Sequence, residues 1–395
     1  MAKKQPEQPN NGEKKQKRPR FVTRILLFLL ALVLLLAAVT AIVFRDQLNL
    51  DNIKRWFHYR SLVLSDSGQA ESFPYDGDLT DTFATLDGDL LVCSDNTISL
   101  YSGSGTRYVN QSVNMDNPVV DTNGTLAVVY DAGGEELYVL GQRQLVWEAE
   151  GLTSILSAHL NRSGQLTVVT QSDGYRGAVT VYNTRYEPIV SVNLSSAYVM
   201  DAALSDDGKT LSILTIGQEN GTFTSTLSLY TLNTAGSGDY VPDAACSLNG
   251  NVILATRHTE DVVWSLGNLG LDVTDHSGKT VSVDWSDRYL KRYTLSGDGF
   301  ATALLSRYRA GSQAELITVD SSGSRHTVEY SEQILSLTAA GRYVAVLTGD
   351  RLDIYTSNLE LYDSLEGTQG ARCVLLMEDG SAILLSSESA SYYVP

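Results

Sequence analysis

Eight times along the chain a two-residue turn signal is followed by a short, almost unbroken apolar run. The turn pairs are Asp87-Gly88, Asn123-Gly124, Ser163-Gly164, Asp207-Gly208, Asn249-Gly250, Asp298-Gly299, Ala340-Gly341 and Asp379-Gly380. Asn-Gly and Asp-Gly tolerate positive φ at a tight hairpin, so most of these pairs predict a link between antiparallel strands. The runs that follow include Leu-Leu-Val-Cys at 90–93, Leu-Ala-Val-Val at 126–129, Val-Ile-Leu-Ala at 252–255 and Tyr-Val-Ala-Val at 343–346. Lacking polar alternation, they predict second strands covered on both faces. A third strand with alternating pattern comes next, as in Ile-Ser-Leu-Tyr at 98–101 and Leu-Asp-Ile-Tyr at 352–355. It is expected nearer the rim, with one face wetter.

Successive turn glycines lie 36, 40, 44, 42, 49, 42 and 39 residues apart, close to the period of about 40–45 of a four-stranded propeller blade. The fold class expected is therefore all-β, a propeller of four-stranded blades over 71–395 with eight blades. Seven blades plus an irregular terminal element is the alternative. The fifth unit is the least regular, with the longest spacing. After Gly380 only two strands fit before Pro395, so the last blade lacks its outermost strand. The segment Glu71-Ser-Phe-Pro-Tyr75 is expected to supply it, closing the ring and removing the sheet edges.

A different pattern precedes the repeats. Residues 25–44 contain one polar side chain, Thr40, and at ~1.5 Å per residue they span roughly 30 Å, enough to cross a bilayer once. The rival reading is a cleaved signal peptide with Val39-Thr40-Ala41 at the cleavage site, but its apolar region would be only about 7–15 residues. Ahead of the run, residues 1–24 carry eight Lys/Arg against two Glu. Basic residues on that side predict a cytoplasmic tail and an extracytoplasmic propeller at the cell membrane. Leu48, Ile53, Trp56 and Phe57 then recur at near-helical spacing in a juxtamembrane stem over 45–70.

Beyond the tail, 21 basic residues face 44 acidic ones, a net charge of −23. Such a domain repels nucleic acid, which needs a Lys/Arg surface to displace its counterions. Cys93, Cys246 and Cys373 are odd in number and widely spaced, and imply no disulfide framework.

At Ser172-Asp-Gly-Tyr175, Val179-Thr-Val-Tyr-Asn183 and the stretch from Asp201 to Lys209, the chain resembles a family of single-pass membrane-anchored propellers of Gram-positive bacteria with no assigned function and WD40-like or quinoprotein-like repeats. The resemblance extends over the tail, the anchor and Phe73-Pro74. Many relatives carry Pro where Asp206 stands, a change confined to a turn. The resemblance implies fold and location and carries over no catalytic residue.

Few residues suggest chemistry. Gly-Lys-Thr occurs at 208–210 and 278–280, but Ala203 and Val273 stand where a phosphate-binding loop needs glycine. No G-x-S-x-G elbow occurs, and the histidines at 58, 159, 258, 276 and 326 never take H-x-H or H-E-x-x-H spacing. Asp76, Asp78 and Asp81 crowd together without the distal Glu of a calcium loop. Trp147, Trp264 and Trp285 sit at unrelated repeat positions, unlike the recurrent docking tryptophans of quinoproteins. No catalytic, cofactor-binding or metal-binding residue is assigned, and no cofactor is expected.

Seven residues before each turn glycine stand Asp81, Asn117, Ser157, Asp201, Asp243, Arg292, Ile334 and Cys373. This register falls near the start of each innermost strand. Asp81, Asp201, Asp243 and Arg292 are thus candidates for a polar or cationic ligand at the mouth of the central channel, against the plainer reading that they cap strand ends. The function expected is a non-enzymatic extracytoplasmic module that binds a protein or glycan of the cell envelope. An envelope hydrolase or lyase acting at the channel mouth, and the sensor domain of a membrane signalling complex, are the alternatives.

Overall fold

A computed structural model describes residues 62–219, 221–232, 241–248, 251–285, 287–311 and 313–395, with single positions before them. The chain divides into two compact units, Met1–Phe57 and His58–Pro395. The expected anchor at 25–44 lies outside the described residues apart from Phe28 and Leu29, which are helical. Among the described residues no helix is long and apolar enough to cross a membrane.

The second unit is an eight-bladed propeller, each blade a four-stranded antiparallel sheet. Its innermost strands are Thr82–Leu86, Pro118–Thr122, Ile155–Leu160, Tyr198–Leu204, Ile253–His258, Tyr289–Thr294, Ser336–Ala340 and Cys373–Leu376, in blade order. In the eighth blade the outermost strand is Phe73–Pro74, which pairs with Ser389–Tyr393 through Phe73↔Ala390 and Pro74↔Ser389. The ring is closed by joining the two ends of the propeller sequence, as the missing strand requires. Proline is tolerated there because an outermost strand needs no donor on its open side.

Seven of the eight predicted turns link innermost to second strands, and their glycines, at 88, 124, 164, 208, 299, 341 and 380, all take positive φ. The fifth blade differs. Residues 252–255 do not form its second strand: Ile253–His258 is its innermost strand, Val262–Gly267 its second, and the loop between them at 259–261 has no glycine. Asn249 and Gly250 lie outside the described residues. The shift begins one blade earlier, where the central strands Thr210–Glu219 and Thr222–Thr231 run to ten residues each. They push the outermost strand Ala244–Leu248 into the place where the repeat spacing predicts the next blade.

The core is eight separate seams, one between each pair of neighbouring blades. Alternate residues of a central strand serve opposite seams: Leu90 and Val92 face the eighth blade, Leu91 and Cys93 the second. This double duty is why the second strands read as unbroken apolar runs. It also corrects the expectation for the third strands, which are covered on both faces, as in Leu137–Gly141. The wet alternation appears one strand further out, as in Gln144–Glu148, because twisted blades diverge at the rim. The folded unit also begins before residue 71. Tyr59 and Ala70 are buried in the seam of the eighth and first blades, and Tyr59 bonds Ser381 at 2.7 Å.

Candidate functional site

The innermost strands bring together four side chains from four consecutive blades. His159, on the third, places Nε2 2.9 Å from Asp201 Oδ1 on the fourth and Nδ1 3.6 Å from Asp121 Oδ2 on the second. Thr256, on the fifth, donates its hydroxyl hydrogen to the other oxygen of Asp201. Backbone amides complete the set: Ala202 N–H donates to Asp201 at 2.9 Å and Leu160 N–H to Asp121 at 2.8 Å.

Burial alone would lower the pKa of His159, but the charge of Asp201 and the hydrogen bonds and charge of Asp121 raise it well above the ordinary value. Burial likewise works against the ionised form of Asp201, and the charge and hydrogen bond of His159, with the bond from Thr256, overcome it and hold the carboxyl down at about 2. A histidine pinned as a cation between two carboxylates has no lone pair to accept a proton at neutral pH. The cluster therefore ties four blades together across the channel wall and is not arranged as a general base.

Of the residues expected at the mouth, Asp201 is the one this network contains. Arg292 lies exposed on the sixth innermost strand. Its charge is felt at Cys373 on the eighth, where burial pushes the thiol up against a hydrogen bond from Ser336 and that charge. Asp81 precedes the first innermost strand and accepts the Asp78 amide at 2.8 Å, with burial raising its pKa. Asp243 is not at the mouth. It stands just before the outermost strand of the fourth blade, where its carboxylate accepts the Thr231 amide at 2.6 Å, a consequence of the shifted register. Ile334 is buried in the seam of the sixth and seventh blades, and Asn117 caps the Asp131 loop, its amide donating to Asp131 at 2.7 Å. Among the described residues no three His, Cys, Asp or Glu side chains converge as metal ligands.

A second feature distinguishes one half of the mouth. In the third to sixth blades the innermost strand carries a bulge near its start, leaving Leu156, Met200, Leu254 and Lys291 as the extra residues. The other four blades pair there without interruption. Bulges re-aim side chains at rims, and here Met200 and Leu254 emerge exposed. Tyr198 is exposed on the same strand as Met200, and Tyr289, Tyr293 and Tyr308 are exposed on the sixth blade. Pairing of Tyr289 with Ser306 brings the sixth blade's Arg-Tyr-Leu-Lys-Arg-Tyr at 288–293 next to Arg-Tyr-Arg at 307–309. Arg288 is paired with Glu315 at 2.9 Å, whereas Arg292, Arg307 and Arg309 form no ion pair among the described residues. Arg176 lies 4.4 Å over the Tyr198 ring. A cluster of cations and tyrosines thus occupies the sixth blade of a strongly acidic domain, with the Arg176–Tyr198 pair joining the third and fourth blades.

Solved structures share the architecture. The C-terminal WD40 domain of Sif2 superposes with a TM-score of 0.54 at 11% identity, over 81% of this chain and 98% of that one. A eukaryotic initiation factor superposes at 0.52 and 10% identity, over 84% and 87%. At these identities the likeness is one of fold alone. Among curated proteins none matches this chain by sequence. Residues 69–358 do match a family model, and on that match the chain belongs to the family of unknown function DUF5711.

Proposed function

We propose that this protein is a non-enzymatic interaction module, held on the outer face of a cell membrane by residues 25–44, whose propeller mouth engages an acidic segment of an envelope protein. The observation that carries the reading is the cluster of exposed Tyr289, Tyr293 and Tyr308 with Arg292, Arg307 and Arg309, which form no ion pair among the described residues. Tyr and Arg are the residues most enriched where interfaces draw their binding energy. A guanidinium pairs bidentately with a carboxylate. The rest of the domain, at −23 beyond the tail, repels long polyanions, so the local cluster suits a short acidic stretch rather than nucleic acid.

Crosslinking of the full-length protein in its native membranes, followed by mass spectrometry, tests this. A chain shortened to residues 1–57 is the control, because the folded unit starts at His58. One partner should be captured only by the full chain, through the cluster. The triple substitution Arg292→Glu, Arg307→Glu and Arg309→Glu should reduce its capture by roughly tenfold or more. Equal capture by the triple variant would remove the cluster from the interface.

A further inference from the structure

At the end of the innermost strands opposite the mouth, two histidines face each other ring nitrogen to ring nitrogen. His258 is the last residue of the innermost strand Ile253–His258, and His276 stands in the turn between Gly270–Asp275 and Thr280–Asp284 of the same blade. Their Nε2 atoms are 3.0 Å apart, with ring planes at 81°. On its other side the His258 ring meets the carbonyl oxygen of Ala203, in the fourth blade, at 3.1 Å. A carbonyl only accepts, so Nδ1 carries the hydrogen and the Nε2 lone pair of His258 points at His276.

We propose that His258 and His276 are the protein ligands of a site for one divalent transition-metal ion of the imidazole-preferring class, Zn²⁺, Ni²⁺ or Cu²⁺. Two geometric observations converge on it. With metal–nitrogen bonds of about 2.0–2.1 Å, two nitrogens on one ion lie about 2.9 Å apart at a right angle and about 3.3 Å apart at the tetrahedral angle. The spacing of 3.0 Å falls between these limits. The bond from Nδ1 to a backbone carbonyl is the outer-shell contact that orients a ligating histidine and fixes its tautomer. Metal insertion then needs only that His276 move its hydrogen from Nε2 to Nδ1.

Water completes the coordination shell. Two imidazoles without carboxylates select against Ca²⁺ and Mg²⁺, which take oxygen ligands. The site also lies where reinforcement is felt. Among the described residues the seam joining the fourth and fifth blades has the smallest apolar cluster of the eight, and His258 reaches across it to Ala203.

The test uses full-length protein, stripped of metal and held in detergent micelles. It is titrated with ZnCl2 by calorimetry and with CuCl2 by electron paramagnetic resonance, and its melting temperature is followed with and without metal. The expected result is one saturable equivalent, nitrogen hyperfine structure on copper, and a higher melting temperature with zinc. His276→Ala, in a partly exposed turn, should lose all three responses while keeping the metal-free melting temperature. His326→Ala should keep them. Absence of saturable binding, or binding that survives His276→Ala unchanged, would overturn the assignment. Substitution of the buried His258 is not needed for the decision.

Discussion

Asp201→Ala is expected to lower stability at pH 6 by about 2–3 kcal/mol and to flatten its decline towards alkaline pH. Removing one partner of a buried ion pair costs about 3–5 kcal/mol. The estimate is discounted because the His159 side chain is 27% exposed and that of Asp201 15%. Three donors lose their acceptor at once: His159 Nε2, the Thr256 hydroxyl and the Ala202 amide. The pH dependence follows from the two shifts. The folded pKa of His159 lies above its unfolded value of 6.5, so its contribution is complete below about 6.5 and is lost as pH rises through the folded value. The folded pKa of Asp201 is lowered from 3.8 to about 2, so its contribution is complete above about 3.8 and is lost as pH falls towards 2. Both are fully present only between about pH 4 and 6.5. Urea midpoints of wild type and variant from pH 4 to 9 measure the difference. It should be largest on that plateau and shrink above it; a constant difference, or none, would mean that the network carries no linked charge.

Of the four side chains in this network, only Asp201 was legible in the sequence. Asp201 stands seven residues before its turn glycine, the register that marks the channel mouth, whereas His159 and Asp121 stand five and three before theirs. All three offsets are odd, and residues two apart share a face of a strand. Scanning every odd offset would therefore have found the partners that a single register missed. His258 and His276 carry no metal-motif spacing for a related reason. Their 18-residue separation matches no local motif, because the whole of the second and third strands lies between them.

The tyrosine and cation cluster was legible only as Arg292. Arg307, Tyr308 and Arg309 lie in a loop with no repeat register, and the bulge at Lys291 leaves no mark in the hydrophobic pattern beyond one extra residue. The blade count survived because seven turns keep their glycine. The fifth blade was read out of phase because its marker lies ahead of the innermost strand, after two ten-residue strands that no spacing rule anticipates. Asp243 was carried to the wrong place by the same error.

Deleting residues up to 75 should abolish cooperative folding, whereas deleting 1–57 should leave the propeller intact. The two-residue strand Phe73–Pro74 understates what is lost. The Ala70 amide donates to the Tyr392 carbonyl at 2.7 Å, the Val394 amide to the Gly68 carbonyl at 2.9 Å, and Tyr75 to the Ser386 carbonyl at 2.7 Å. Tyr59 and Phe73 both pack at a tilt against Tyr392, with ring centroids 6.2 and 6.3 Å away. Phe73 also seats Gly105 of the first blade, where an added Cβ would fall 2.8 Å from the Phe73 Cβ. Burial of Phe73 alone is worth about 3–5 kcal/mol against alanine, a large share of the 5–15 kcal/mol typical of a folded domain. Without the segment, Ser389–Tyr393 becomes an open edge, and its apolar seam with the first blade loses one wall. Open edges pair with other chains, so the product should aggregate or unfold without a sharp transition. Urea unfolding of chains beginning at residues 58 and 76, with light scattering to detect association, separates the cases. Phe73→Ala should fall between them. A chain from residue 76 that unfolds at the same midpoint as the longer one would show that the ring stands without its clasp.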